Sequence, residues 1–128
     1  MVANLWNDSE AHRFATDLEQ RVYSSRLLGQ DPTLVMHGGG NTSVKADVTN
    51  LVGEKEAVIY VKGSGWDLAT IEAQGFAPVR MAHLLKLRQL DKLSDPEMVN
   101  ELKTQLVDHK APGPSVETLL HAFLPHKF

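Results

Sequence analysis

The spacing of apolar residues predicts a long helix near the start of the chain. Asn7 or Ser9 can cap this helix, which would run to about Leu28, and Gly29 directly after it is a common C-terminal stop. Apolar residues recur at helical intervals along it, so that one face can be buried. The residues of that face are Phe14, Leu18, Val22 and Leu27 or Leu28.

The following part of the chain has the pattern of strands. A short apolar run at residues 34–36 leads into three glycines, and residues 43–48 alternate apolar with polar side chains. Residues 57–61 (AVIYV) are strongly β-prone, and Glu54-Lys55 before them predicts a hairpin turn.

The second half of the chain returns to helical spacing. Residues 76–90 carry apolar side chains at helical intervals, and residues 94–97 (SDPE) form a capping box with proline near the first turn. The capping box predicts a helix over residues 95–107. The order of one helix, about three strands and then helices predicts a layered α/β domain with hairpin-type pairing.

A last helix is predicted over residues 116–124, after the loop DHKAPGPS. Ser115 can cap this helix and Pro125 ends it. The chain then remains apolar up to Phe128, whereas termini usually end in polar residues. We therefore expect that the chain is a fragment of a longer protein.

Composition narrows the possible functions. The 128 residues suffice for one domain, and a net charge of −3 gives no electrostatic footprint for nucleic acid or an anionic membrane. Cysteine is absent, which excludes disulfides, thiolate metal sites and a cysteine nucleophile. The start of the chain lacks a signal-peptide pattern, and no apolar run reaches transmembrane length. We expect a cytoplasmic protein with neither a nucleic-acid nor a membrane partner.

The glycine-rich stretch at residues 37–43 (HGGGNTS) is the first candidate site. Successive glycines can turn their N–H groups inward around an anion, and Asn41, Thr42 and Ser43 add polar side chains. By itself the stretch is better explained as a β-turn with capping residues. It matches neither the phosphate loop of nucleotide-binding enzymes nor the dinucleotide fingerprint.

Two further stretches carry polar residues at the predicted ends of elements. Residues 63–65 (GSG) directly follow a strand, where the backbone can approach a ligand closely. Ser115 begins a helix and can face an anion, and Glu117 lies in the first turn, where a carboxylate is favoured by the helix dipole. His121 lies one turn further on the same face and is interpreted as a packed core histidine. Each stretch alone is also explained by turns and capping.

Taken in order, the three stretches resemble the class II aldolase/adducin family. GGGNTSVK, YVKGSGWDL and PSVETLLHAFLPH match its glycine-rich loop, its strand with a Ser-Gly turn, and its Ser-x-Glu helix start. With VYSSRLLG, they are most similar to the N-terminal aldolase part of bifunctional rhamnulose-1-phosphate aldolase/short-chain dehydrogenase proteins. The resemblance implies a three-layer α/β/α fold with a mixed, largely antiparallel sheet, incomplete in this chain. Residues 1–128 would be the N-terminal portion of such a domain.

The resemblance also implies a reaction and a set of site residues. Enzymes of this family cleave a ketose 1-phosphate into dihydroxyacetone phosphate and an aldehyde, with zinc stabilising the enediolate. Glu117 would be the acid/base carboxylate, and Val116 replaces a second serine found in many members. The residues that would bind the substrate phosphate are Gly39, Gly40, Asn41, Ser43, Ser64, Gly65 and Ser115.

The metal ligands of the family are missing from this sequence. The family holds zinc through a His-x-His pair beyond the glutamate helix and a more distant histidine. His121 and His126 are five positions apart with Pro125 between them, and His37 has no partner at ligand spacing. We therefore expect no zinc site within residues 1–128, although the complete domain would need one.

Two other interpretations stay open. An adducin-like scaffold could use the same fold without catalysis, although Glu117 argues mildly against that reading. A small-anion-binding domain could hold phosphate without any reaction. For the enzyme, the resemblance implies a phosphorylated sugar as substrate and a homo-oligomer, and it leaves the sugar undetermined.

Overall fold

The fold is built on a three-stranded antiparallel sheet. The computed structural model describes residues 3–128. The strand order is β1-β2-β3, with Ser43 opposite Val61 across the first pair and Ile59 opposite Val79 across the second. The strands are β1 (Ser43–Thr49), β2 (Lys55–Lys62) and β3 (Phe76–Arg80).

Helices cover both faces of this sheet, which confirms the predicted three-layer α/β arrangement with antiparallel pairing. Two short 3₁₀ turns, Leu68–Thr70 and Ala73–Gly75, connect β2 to β3. Within residues 3–128, no helix is long and apolar enough to cross a bilayer. The helices are α1 (Asp8–Ala11), α2 (Asp17–Gly29), α3 (Met81–Leu87), α4 (Asp95–Thr104) and α5 (Thr118–Phe123).

The larger part of the core lies between the sheet and helices α3, α4 and α5. Side chains alternate across a strand, so every second residue of β2 and β3 points to this face. Each helix contributes at least one buried residue to the same cluster. The buried members are Ile59, Val61, Ala77, Val79, Met81, Leu84, Leu102 and Ala122.

A smaller cluster lies on the opposite face, beneath α2. Val22 of α2 packs with Ile71 and Phe76, and the partly buried Leu18 and Tyr60 lie against them. Arg26 of α2 donates from Nε to the carbonyl oxygen of Ile71 at 2.7 Å. Together these contacts fix α2 against the connection between β2 and β3.

The predicted first helix is divided into two, and that prediction was wrong. Thr16 caps α2, because its Oγ1 accepts from the Glu19 amide at 3.1 Å. Glu19 Oε2 in turn accepts from the Ala15 amide at 2.9 Å, and Asn7 caps the separate helix α1. Local polar capping thus interrupts an apolar pattern that is continuous in the sequence.

The glycine that ends α2 serves a different purpose from the predicted one. Gly29 is the last residue of the helix but does not have the left-handed conformation of a typical helix stop. A Cβ at this position would collide with the backbone of Leu68 and Ala69. Gly29 therefore allows α2 to approach the first 3₁₀ turn closely.

The other corrections concern residues 34–36 and 76–80. Residues 34–36 form no strand and belong to a turn-rich segment. Residues 76–80 form strand β3 instead of the start of a helix, and α3 begins only at Met81. Pairing with β2 overrode the local pattern, since Phe76 and Val79 are spaced as in a helix but face opposite sides of the sheet.

Two predicted boundaries shift by a few residues, because β2 begins at Lys55 instead of residue 57 and α4 ends before residue 107. The turn between β1 and β2 is organised by Asn50, whose Oδ1 accepts from the amides of Val52 and Glu54 at 3.1 and 2.9 Å. The predicted capping box of Ser94 and Glu97 is confirmed, and α4 ends at Thr104.

We predict opposite responses to alanine at two adjacent leucines of α3. Leu84 is fully buried, so Leu84→Ala should lower the free energy of unfolding by about 3 kcal/mol. Leu85 is 42% exposed, so Leu85→Ala should lower it by less than about 1 kcal/mol. Denaturant unfolding of both variants tests this, and equal effects would contradict the described packing of α3.

Candidate active site

The three polar stretches of the sequence meet at one end of the sheet. The Lys62 amide donates to the carbonyl oxygen of Thr42 at 3.1 Å, which sets the end of β2 beside the glycine loop. Gly63 then pairs with Pro114, and the Ser64 amide donates to the Gly113 carbonyl oxygen at 3.1 Å. The register of the sheet therefore brings residues 37–43, 63–65 and 113–117 together.

The glycine loop has a fixed conformation. Gly38 and Gly40 have φ values of +76° and +79°, a region that residues with a Cβ rarely adopt. Asp67 accepts a hydrogen bond from the Gly38 amide and pairs with His37 Nδ1 at 2.9 Å. These contacts anchor the loop to the segment that follows β2.

The amides of the loop are not all available to a ligand. The Gly39 amide donates to the Met36 carbonyl oxygen at 2.8 Å, so it is engaged in a turn. The predicted role of Gly39 as a phosphate donor is therefore unsupported by the geometry. Across residues 3–128, the amides of Gly40, Asn41 and Thr42 make no hydrogen bond, so Gly40 is the glycine of the loop whose amide stays free.

The residues after the loop point alternately to the two faces of the sheet. Thr42 is buried on the α2 side, where its Oγ1 lies 2.7 Å from Ser25 Oγ. Ser43 is buried opposite Val61, so its side chain points to the sheet face that α5 covers. Ser43 and Asn41 are thus the side chains of this stretch on the α5 side.

Asn41 is linked to helix α5 by His121. His121 Nε2 lies 2.7 Å from Asn41 Oδ1, between residues 80 positions apart. Burial lowers the pKa of His121, the charges of Arg21 and Lys45 act in the same direction, and Glu117 opposes them. His121 is half-buried and hydrogen-bonded, so its interpretation as a packed core histidine was wrong.

Ser115 lies just before α5 but does not cap that helix as predicted. Helix α5 begins only at Thr118, whose Oγ1 donates to the Ser115 carbonyl oxygen at 2.6 Å. The Ser115 hydroxyl oxygen is buried and has no hydrogen-bond partner in the part of the chain that the structure describes. An unpaired buried hydroxyl is unfavourable unless a ligand or water satisfies it.

The two residues from the second stretch are exposed. Ser64 Oγ donates to the Gly113 carbonyl oxygen at 3.3 Å, so this hydroxyl is held at the rim of the site. Gly65 has a φ of +88°, and a Cβ there would meet nothing within 4 Å. Both residues lie where the sequence predicted them, at the end of β2.

Glu117 stands at the start of α5 with an exposed side chain. Its carbonyl oxygen accepts from the His121 amide at 3.1 Å, which places the two residues one turn apart. Over residues 3–128, its carboxylate takes part in no ion pair. It is therefore free to contact a small molecule at the site.

Two cationic residues near the site were missed by the sequence analysis. Lys62 is only 7% exposed, and its Nζ lies 3.5 Å from the Gly38 carbonyl oxygen. Arg21 donates from Nε to the Ser43 carbonyl oxygen at 2.8 Å. The sequence did contain a signal for Lys62, because this lysine ends an apolar strand directly before the candidate Gly-Ser-Gly stretch.

These residues do not fit a zinc ion. No three histidine, aspartate or glutamate side chains gather at ligand distance among the residues from Ala3 to Phe128. His37 is paired with Asp67, and His121 with Asn41. His126 is exposed in the segment after α5, next to Lys127, whose carbonyl oxygen accepts from the Lys45 amide at 2.8 Å.

Comparison with known proteins agrees with this architecture. Residues 19–127 match the family described as Class II Aldolase and Adducin N-terminal domain. The chain is 42% identical over 127 residues to the uncharacterized oxidoreductase YuxG of Bacillus subtilis. This alignment covers 99% of the present chain but only 18% of YuxG.

A solved structure shows the same fold. It is the N-terminal class II aldolase domain of a conserved protein from Thermoplasma acidophilum, with a TM-score of 0.91 and 45% identity. The match covers 99% of this chain and 58% of that one. The chain thus spans only part of the length of the relatives that it matches.

We predict that the buried hydroxyl pair stabilises the base of the glycine loop. Thr42→Val should lower the free energy of unfolding by about 1–2 kcal/mol, because the buried Ser25 hydroxyl keeps its bond to the Arg21 carbonyl oxygen but loses the hydrogen bond with Thr42. Ser25→Ala in the Thr42→Val background should lower it by less than Ser25→Ala alone. Fully additive effects in denaturant unfolding would show that the two hydroxyls do not interact.

Proposed function

This chain belongs to the class II aldolase and adducin N-terminal domain family. We propose that it binds the substrate phosphate and carries the acid/base carboxylate of a ketose 1-phosphate aldolase. The complete protein would cleave its substrate to dihydroxyacetone phosphate and an aldehyde. The observation that carries this proposal is the unpaired, buried hydroxyl of Ser115 at the meeting point of the three stretches.

A phosphate group would satisfy this hydroxyl and the donors around it. We propose that the Gly40 amide and the Asn41 side chain reach the phosphate from the glycine loop. Gly65 and Ser64, with its hydroxyl turned away from the Gly113 carbonyl oxygen, would reach it from the end of β2. Ser43 shares the α5 face with Asn41. A phosphate has several acceptor oxygens, so it suits a site built from many neutral donors.

Buried positive charge at the same end of the sheet supports an anionic ligand. Lys62 is almost fully buried, and among residues 3–128 its Nζ has one polar contact, the Gly38 carbonyl oxygen 3.5 Å away. A buried lysine is stabilised by a nearby negative charge, which a bound phosphate provides. Lys62 lies opposite Phe76 and so leaves β2 on the α2 face, and we propose that it reaches the phosphate at the end of the sheet, next to the glycine loop that its Nζ approaches.

Glu117 has the position and the exposure of an acid/base group. Cleavage of the bond between C3 and C4 of a ketose 1-phosphate turns the C4 hydroxyl into the aldehyde, releases the proton of that hydroxyl to solvent and leaves an electron pair on C3. We propose that the Glu117 carboxyl group gives its proton to C3 and takes it back in the reverse reaction. The carboxylate is free of protein partners in the described structure, as this role requires.

The finer parts of the proposal concern the complete protein. We propose that residues 1–128 are the N-terminal portion of the aldolase domain and that zinc is held by residues outside it. The oxidoreductase name of the Bacillus subtilis relative supports fusion to a dehydrogenase part. Rhamnulose 1-phosphate as substrate, a homo-oligomer and a cytoplasmic location complete the proposal.

An adducin-like binding module is the second candidate. The two candidates share phosphate binding but differ in turnover, so retro-aldol activity of the intact protein distinguishes them.

We predict that Ser115→Ala affects stability and ligand binding in opposite ways. Removing an unpaired buried hydroxyl should leave the free energy of unfolding unchanged or raise it. The same variant should bind inorganic phosphate about tenfold more weakly, measured by titration calorimetry of the intact protein. Val116→Ala, at the exposed neighbouring position, is the control. Unchanged phosphate affinity of Ser115→Ala would remove Ser115 from the site.

We predict that Glu117→Gln separates binding from catalysis. The amide has nearly the same shape but cannot transfer the proton, so kcat for cleavage should fall at least about 100-fold. Phosphate affinity should stay within about twofold, because Glu117 donates nothing to the phosphate. Unchanged turnover would exclude Glu117 from the mechanism.

A further inference from the structure

We propose that His121 is a positioning residue that holds the Asn41 carboxamide with its N–H₂ group facing the phosphate. The inference rests on the proposed function and assigns a role to a residue that the proposal leaves unused. Its basis is the hydrogen bond of 2.7 Å between His121 Nε2 and Asn41 Oδ1.

Asn41 needs such a partner because its carboxamide can present either of two groups. The side-chain oxygen repels an anion, whereas the Nδ2 hydrogens attract it. Asn41 lies in the loop between Gly40 and the start of β1, where regular structure does not orient its side chain. A donor that binds the oxygen from the far side selects the favourable orientation.

The chemistry of the pair determines the proton on His121. Asn41 Oδ1 can only accept, so Nε2 must carry hydrogen. The neutral ring does this in one of its two tautomers. Because burial lowers the pKa of His121, the ring is neutral near pH 7 and positions Asn41 without carrying a full charge.

The charged groups around His121 are consistent with this assignment. Arg21 faces it from α2, Lys45 from β1, and Glu117 from its own helix. Two of these three groups are cationic, so they disfavour a second positive charge on the ring.

A direct contact between His121 and phosphate is the competing explanation. The geometry disfavours it, because Nε2 is already bonded to Asn41. The two explanations predict different coupling between the residues. A residue that acts through Asn41 loses its effect when the Asn41 carboxamide is absent.

The test is a double-mutant cycle on the intact protein, with inorganic phosphate as the probe. His121→Leu should weaken phosphate binding about fivefold in titration calorimetry, a loss typical of one neutral hydrogen bond. In the Asn41→Ala background, the same change should have no further effect. Leu120→Gln, at an exposed position of the same helix, is the control and should not change the affinity. Additive losses would overturn the proposal.

A second pair of variants decides the matter if His121→Leu does not fold. Glutamine can place an N–H donor near the position of Nε2, whereas asparagine is too short to reach it. His121→Gln should retain phosphate affinity within about twofold, and His121→Asn should lose about fivefold. Equal affinities for these two variants would contradict the positioning role. The ¹⁵N shift of His121 Nε2 at pH 8 should report a protonated nitrogen, and a deprotonated one would also contradict it.

The results separate this inference from the function on which it rests. If the wild-type protein shows no saturable phosphate binding, the proposed function fails and the role of His121 fails with it. If Ser115→Ala and Asn41→Ala weaken binding but His121→Leu does not, the proposed function stands and only the positioning role is wrong.

Discussion

The antiparallel register of β1 against β2, with Ser43 opposite Val61, determines which side chains reach the candidate site. A slip of one residue would turn Ser43 toward α2 and Thr42 toward α5, because neighbouring side chains of a strand point to opposite faces. The Thr42 hydroxyl would then lose Ser25. The same register sets Lys62 beside Thr42 and so brings the end of β2 to the glycine loop.

The loop itself is prearranged by contacts that a ligand does not need to form. Asp67 holds its start, Gly38 and Gly40 provide the left-handed turns, and the buried pair of Ser25 and Thr42 holds its end. A site whose donors are already ordered loses little conformational entropy on binding. The glycines therefore contribute shape rather than flexibility, and of their three amides that of Gly40 makes no hydrogen bond within residues 3–128.

The parts of the fold that depend on local chemistry could be predicted from the sequence. The capping box of Ser94 and Glu97 is decided within one helical turn, and the alternation in residues 43–48 identifies a strand directly. Residues 76–80 could not be assigned in this way, because pairing with β2 makes them a strand. At the site, the order of motifs predicted Asn41, Ser115 and Glu117. The contacts of His121 depend on a neighbour 80 residues away and were beyond local patterns.

The polar groups of the site differ in how far the protein satisfies them, and this difference indicates their functions. The Asn41 side-chain oxygen is hydrogen-bonded to His121, and the Ser64 hydroxyl donates to the Gly113 carbonyl oxygen. Both side chains are therefore oriented by protein partners. Within residues 3–128, the buried hydroxyl oxygen of Ser115 has no hydrogen-bond partner, and the buried Lys62 has one polar contact of its Nζ, at 3.5 Å. Such groups lower the free energy of unfolding when no ligand is bound. Their interactions with a bound anion then contribute most to its affinity. In the proposed site, the unfavourable burial of the Ser115 hydroxyl and of Lys62 is thus the physical source of the expected phosphate affinity, and the proposed role of His121 is to orient the Asn41 carboxamide.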